Sequence, residues 1–329
     1  MGLGKIDAIL KRYSKTIREV EIGSYWYRRI LHACGGPLIV GLFILADESW
    51  MLALKTYGAP IIFVMIVGMD ALRLKGVLPQ QMFYGMREYE QKRPMGVTYF
   101  AIAALTLFML AQYKLIPQSI AITCLLCGCL VDPAMGEARQ AKGRCFGMPV
   151  GFLLAFILFF VLGFEWYIAL FGAFLVMAGE SVKSWLIDDD LLIQMLPAVG
   201  LIIAWKAGLR MPPDPVVPIP LPPWAYINMD ELPAVGIALA VAIVVLFAVG
   251  FAYYGIRHVN KGISATKSML PLTLFLMITP LFVGLIFLLG WPNVPHPTTH
   301  VYLGMIMLIS AVTVDFATVR DMIRKTKMV

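Results

Sequence analysis

The stretch GESVKSWLIDDDLLIQMLP, Gly179 to Pro197, decides how the chain is read. It leaves an apolar helical run, sets down Glu180 and Lys183 three residues apart, places Asp188, Asp189 and Asp190 in succession, and then resumes as apolar sequence. A carboxylate at a helix N-terminus contributes about 0.3–1 kcal/mol, and one is enough to cap it. Three in a row exceed that need. Glu180 and Lys183 share a helical face and can neutralise each other, but ionisable groups at the rim of a membrane span are functional candidates by default.

The surrounding sequence makes the membrane reading necessary. Of 329 residues, 60% are hydrophobic and only 14% charged, far from the composition of a soluble domain. A span needs about 20 mostly apolar residues. The apolar runs predict an all-α, polytopic membrane protein of about ten transmembrane helices: 30–46, 57–72, 97–115, 117–131, 147–163, 166–187, 191–207, 232–255, 268–290 and 300–319. The run MPPDPVVPIPLPPWAYINMDELP, rich in proline and therefore extended rather than helical, divides them. The expected organisation is a basic N-terminal arm (1–29), a seven-span catalytic domain (30–207), an extracytoplasmic linker (208–231) and a three-span accessory region (232–329).

The arm repeats Ile6, Leu10, Tyr13, Ile17 and Val20 at helical spacing against Lys5, Lys11, Arg12, Lys15 and Arg18, the pattern of a basic helix lying in the membrane interface. It lacks the features of a cleaved secretory signal. The net charge of +7 follows the membrane rather than a nucleic acid. With alternating spans and a cytoplasmic N-terminus, all lysines and arginines except Lys55, Lys114, Lys206 and Arg210 fall on the cytoplasmic side, which also puts the C-terminus there. Cys124, Cys127 and Cys129 lie within one apolar run and read as small packing residues, not as disulfide or zinc ligands.

On that topology the polar constellations share one side. YWYRRILHACGG brings Arg28, Arg29 and His32 into the first span; GMDALRLKG takes Asp70 and Arg73 out of the second. MREYEQKRPMGVTYF carries Arg87, Glu90, Lys92 and Arg93, and LVDPAMGEARQAKGR carries Asp132, Glu137, Arg139, Lys142 and Arg144. Plainer readings exist for each: Arg28 and Arg29 as topology determinants, His32 as a core histidine, Arg87 and Glu90 as a pair in water. Together, bases can neutralise phosphate oxygens and carboxylates can hold a magnesium ion between them, the two requirements of phosphoryl transfer. There is no GxxxxGK[ST] loop and no protein-kinase signature set.

These motifs resemble the polyprenol kinase family that contains dolichol kinase and phytol kinase. The likeness covers about residues 25–205: RRxxH before span one, DxxR after span two, Arg87-Glu88-Tyr89-Glu90 with Gly96-Val97-Thr98-Tyr99-Phe100, an Asp-Pro turn after span four, and Glu180 followed by Asp188-Asp189-Asp190-Leu191-Leu192. The chain departs from the family at Val131-Asp132, where Gly-Asp is usual, at Arg144-Cys145-Phe146-Gly147-Met148, where a Lys-Ser/Thr-rich glycine segment is usual, and at Asp190, where asparagine is usual.

The resemblance implies a CTP-dependent kinase that phosphorylates the hydroxyl of a long-chain isoprenoid alcohol at the cytoplasmic membrane face. CTP or another nucleoside triphosphate is the donor and Mg2+ the cofactor. Asp132, Asp188, Asp189 and Asp190 are then the expected metal ligands. Arg29, Arg73, Arg87, Glu90, Arg139, Lys142 and Lys183 are expected around the nucleotide. Glu180 is the first candidate base for the alcohol proton and His32 the second. A nucleotidyltransferase making a CDP-lipid uses the same charges. A transporter or lipid flippase would instead place ionisable groups near the bilayer midplane.

Overall fold

The computed structural model describes His32, Val40, 50–78, 83, 86, 88–182, 187–214, 230 and 232–255. The interfacial arm, most of the first expected span, most of the proline-rich linker and the two expected spans 268–290 and 300–319 lie outside these residues. So do Arg29, Arg87 and Lys183.

The described residues are all-helical, with no strands among them. A lead-in, Trp50–Ala53 and the π-helical Leu54–Gly58, runs into α1 (Ala59–Leu74). A 3-10 turn (Glu88–Lys92) precedes α2 (Gly96–Gln112). Then come α3 (Gln118–Leu126), a π-helical stretch (Cys127–Val131) and α4 (Asp132–Lys142). Three more helices follow, α5 (Arg144–Val161), α6 (Trp166–Ser181) and α7 (Asp189–Lys206), and α8 (Leu232–Gly255) is the last described. Two helical stretches, Leu54–Leu74 and Gln118–Lys142, are long and apolar enough to cross a membrane; Gly96–Gln112, Cys145–Val161 and Trp166–Ser181 are shorter apolar helices.

Short connections make sequential helices antiparallel neighbours. Helix α3 is the buried centre: Ile120, Ala121, Ile122, Cys124, Leu125 and Leu126 are wholly inaccessible. Around it pack α2, α5 and α7, and α6 packs between α5 and α7. Cys124, Cys127 and Cys129 belong to this core. The large apolar side chains Leu153, Ile157 and Phe160 of α5, Phe171 and Phe174 of α6, and Ile237, Val241 and Val244 of α8 point outward.

One expectation is corrected here. Asp132-Pro133 is not a turn; the helix passes through it and ends only at Lys142. Proline in a helix interior removes one hydrogen bond and crowds the carbonyl four residues earlier. The π-helical residues Cys127–Val131 widen the backbone just where Pro133 needs room, and ladder irregularities of this sort are how helices absorb such residues. The true reversal comes at Gly143, whose φ of 89° is open to glycine and strained for other residues. Helix α6 also stops short of the expected 187, because Val182 turns extended (φ −78°, ψ 113°).

Helices α6 and α7 come into backbone contact at Gly179, where a Cβ would lie 2.6 Å from the Leu192 carbonyl oxygen and 3.0 Å from the Ile193 nitrogen. Small residues that let backbones approach are the usual means of packing apolar helices. A Gly179→Val substitution should therefore cost about 1–3 kcal/mol through overpacking, read as a lowered melting temperature of the detergent-solubilised protein. Gly68→Ala, which meets nothing within 4 Å, serves as the neutral control; equal melting of the two variants would contradict the close approach.

Candidate functional site

The ionisable side chains gather where α1 ends and α2, α4 and α7 begin. Asp70 and Arg73, one turn apart on α1, are both buried (each 1% exposed) and paired, with Arg73 Nε donating to Asp70 Oδ1 at 2.7 Å. The guanidinium also donates to backbone carbonyls of the next segment: Glu90 at 3.0 Å, Gln91 at 3.4 Å and Arg93 at 2.8 Å. The other Asp70 oxygen accepts from the Met95 amide at 2.9 Å and from the Thr98 hydroxyl at 2.7 Å. Glu90, fully buried, accepts from the Gly96 amide at 3.1 Å. Helix α2 carries no capping side chain of its own; carboxylates from a neighbouring helix and from the preceding turn take its orphan amides.

Arg73 and Glu90, expected around the nucleotide, are both buried, and the groups named are engaged with backbone. Glu90 is likewise not a water-exposed partner.

The clamp aims Arg93. Its guanidinium lies over the Tyr89 ring at 4.5 Å and donates to Asp188 Oδ2 through Nη2. The other Asp188 oxygen caps α7, accepting from the Asp190 amide at 3.2 Å. Both oxygens of Asp188 are thus engaged. Adjacent residues of a helix N-terminus point in different directions, so the three aspartates that look equivalent in sequence divide: Asp188 caps and pairs, whereas the half-exposed Asp189 and buried Asp190 extend the cluster. Carboxylate oxygens of the three lie within 4.8 Å of one another. One turn deeper, the buried Gln194 donates to the Asp190 carbonyl at 2.9 Å.

His32 joins the distant segments. Its Nδ1 lies 3.5 Å from Asp132 Oδ2 and its Nε2 lies 3.7 Å from Asp190 Oδ1. The ring packs on Phe100, with centroids 5.1 Å apart and planes tilted by 41°. One ligand-type atom each from His32, Asp132 and Asp190 fits within 4.8 Å. The donor set therefore suits a divalent cation in its chemistry: several carboxylates and an imidazole, gathered in a largely buried setting.

Arg139 lies two turns beyond Asp132 on α4. Its side chain crosses α5 where a Cβ at Gly147 would collide with it, and donates to the buried Glu180 of α6 at 2.5 Å. The second terminal nitrogen meets the thioethers of Met135 at 3.2 Å and Met148 at 3.5 Å, both weak acceptors. Lys142 lies over the Phe146 ring at 4.8 Å. Residues 144–148, where the family resemblance implies a phosphate-cradling loop, form the opening turns of α5.

Of the expected site residues, His32, Asp132, Asp188, Asp189 and Asp190 come together, and Arg139 with Glu180 forms a second bridge. Arg93, absent from the expected site set, is the connection that matters most. Its only sequence signal is position, two residues past Gln91 and just before Pro94 in a loop already crowded with charge. No protein-family model, no curated protein and no solved structure matches the chain.

Removing one partner of a buried ion pair leaves an uncompensated charge and costs about 3–5 kcal/mol. Arg73→Ala should lose stability on that scale in denaturant unfolding of the solubilised protein, since it strands Asp70 and three carbonyls. Asp70→Asn, which keeps an acceptor for Met95 and Thr98, should lose less. Wild-type stability in Arg73→Ala would show that the clamp does not hold this end of the bundle.

Proposed function

We propose that the chain is a multi-pass membrane protein of about ten spans with both termini cytoplasmic, and that it transfers the terminal phosphate of a nucleoside triphosphate, CTP by resemblance, to the hydroxyl of a long-chain isoprenoid alcohol. The outward-facing Leu, Ile, Phe and Val side chains support the membrane reading, because hydrocarbon rather than water solvates such a surface. The bias of Lys and Arg to one side supports the orientation. The observation that carries the enzymatic reading is the meeting of His32, Asp132 and Asp190. Three segments far apart in sequence bring a histidine and two carboxylates to one point. Packing alone has no use for such a meeting in an apolar bundle.

The residues divide the work as follows. Asp190, with Asp132 and Asp189 nearby, would hold a divalent cation such as magnesium, which supplies charge neutralisation across the triphosphate. Arg139 and Lys142 bind phosphate oxygens; a phosphate displaces the Met135 and Met148 thioethers from Arg139, since a charged oxygen is a far better acceptor than a thioether. Arg93 holds Asp188, and through it the start of α7, in place. The alcohol oxygen forms its bond to the γ-phosphorus as the β–γ bridging bond breaks, the nucleoside diphosphate leaves, and Glu180 takes the hydroxyl proton. Glu180 is released for this when Arg139 turns toward the phosphate. The isoprenoid tail lies against the apolar outer walls, with only its hydroxyl reaching the charged end.

Purified protein incubated with γ-labelled CTP and a panel of polyprenols should place label in the lipid. Label entering the lipid only from the α position identifies a nucleotidyltransferase instead, and label in neither case removes both readings. Asp132→Asn and Asp190→Asn should each lower transfer by at least about a hundredfold, the scale at which a lost electrostatic contribution of about 2.7 kcal/mol or more acts on rate, without lowering the melting temperature. Asp188→Asn, by contrast, should lower both stability and activity. Full activity in Asp190→Asn would exclude the metal role.

A further inference from the structure

We propose that His32 is a metal ligand rather than a proton acceptor, and that the site takes a first-row divalent ion of the Mn2+ type in preference to Mg2+. The assignment rests on the reading of the acidic cluster as a cation site. It does not depend on which lipid or nucleotide is used.

The geometry is specific. Both ring nitrogens of His32 face carboxylates, Nδ1 toward Asp132 at 3.5 Å and Nε2 toward Asp190 at 3.7 Å. Each separation is longer than an N–H···O hydrogen bond, about 2.7–3.2 Å. The Nε2–Asp190 separation is the spacing of two donors that share one ion, given metal–nitrogen and metal–oxygen bonds of about 2.0–2.2 Å. Only one ring nitrogen can coordinate while the other carries its hydrogen. Asp190 lies in the group with Asp189 and Asp188, so the side with more carboxylate oxygen is the Nε2 side. The ion then belongs at Nε2 with Asp190, while Asp132 faces Nδ1. A carboxylate behind a ligating histidine fixes the tautomer and ring orientation, and its loss typically lowers metal affinity about 10–100-fold. Phe100, packed on the ring at 5.1 Å, limits its rotation.

The competing role, a base for the alcohol, fits less well. A base needs one nitrogen open toward substrate, whereas both nitrogens of this buried ring (8% exposed) face protein carboxylates. Imidazole in the donor set then decides the ion. Mg2+ prefers all-oxygen, octahedral surroundings and keeps its waters. Imidazole and carboxylate together favour first-row divalent metals.

Detergent-solubilised full-length protein, without nucleotide, should bind Mn2+, read as loss of the free-ion electron paramagnetic resonance signal. Mg2+ should displace it only at about tenfold excess or more, the sense expected of a nitrogen-containing site. Electron spin-echo modulation of the bound Mn2+ should show coupling to an imidazole nitrogen, absent in His32→Asp, where the site becomes all-oxygen and the preference for Mn2+ over Mg2+ falls. Asp132→Asn should keep the nitrogen coupling but weaken binding. No nitrogen coupling in the wild-type protein overturns the assignment even if the variants fail to fold, as does an unchanged Mn2+/Mg2+ ratio in a folded His32→Asp. Nitrogen coupling without phosphoryl transfer to any alcohol would sink the kinase reading alone; transfer without nitrogen coupling would sink this one alone.

Discussion

The buried Asp70–Arg73 pair is the constraint on which the charged end of the bundle depends. Two opposite charges on adjacent turns of α1 are withdrawn from solvent, a costly step unless their remaining hydrogen-bonding capacity is also met. It is met almost entirely by the segment that follows. Arg73 holds the carbonyls of Glu90, Gln91 and Arg93, and Asp70 holds the Met95 amide and the Thr98 hydroxyl. The loop between α1 and α2 therefore has its shape imposed by the end of α1. From that shape Arg93 reaches Asp188, and Asp188 in turn caps α7. A single pair, through one loop and one arginine, fixes where α7 begins and so where Asp189 and Asp190 stand.

Much of the helical layout was legible in the sequence because apolar runs of the right length have few alternatives. The expected spans 57–72, 97–115, 147–163, 191–207 and 232–255 each coincide with a helix, within a few residues at the ends. Where the reading failed, it failed on local signals outvoted by neighbours. Pro133 looks like a breaker, yet the helix continues through it because a π-helical stretch accommodates the proline and α5 packs along α4 beyond it. The end of α6 was misjudged for the opposite reason: Val182 is apolar and fits a span, but the backbone turns extended there.

The site was legible as a set of segments but not as a set of roles. Charge clustering at five places along the chain pointed to one end of the bundle, and His32, Asp132 and Asp190 meet there. What adjacency in sequence cannot reveal is which acids are committed to architecture. Asp188 and Asp190 have nearly the same neighbours in sequence, but one stands at the cap position and the other is the second residue of the helix, and Arg93 donates to the first. The carbonyls of Glu90, Gln91 and Arg93 that Arg73 holds, like other backbone partners, leave no trace in a sequence.

The pairing pattern separates two kinds of carboxylate. Asp70, Asp188 and Glu180 each meet an arginine, whose planar, permanently charged fork is suited to lasting ion pairs. His32 lies between Asp132 and Asp190, and imidazole can be neutral. In a low-dielectric setting two carboxylates this close repel, and on the metal-site proposal a cation beside them offsets that repulsion. On the same proposal, an arginine in the place of His32 would compete with the cation for these acids. Histidine stands at that one position and arginines at the other three, and the metal-site proposal turns on this difference.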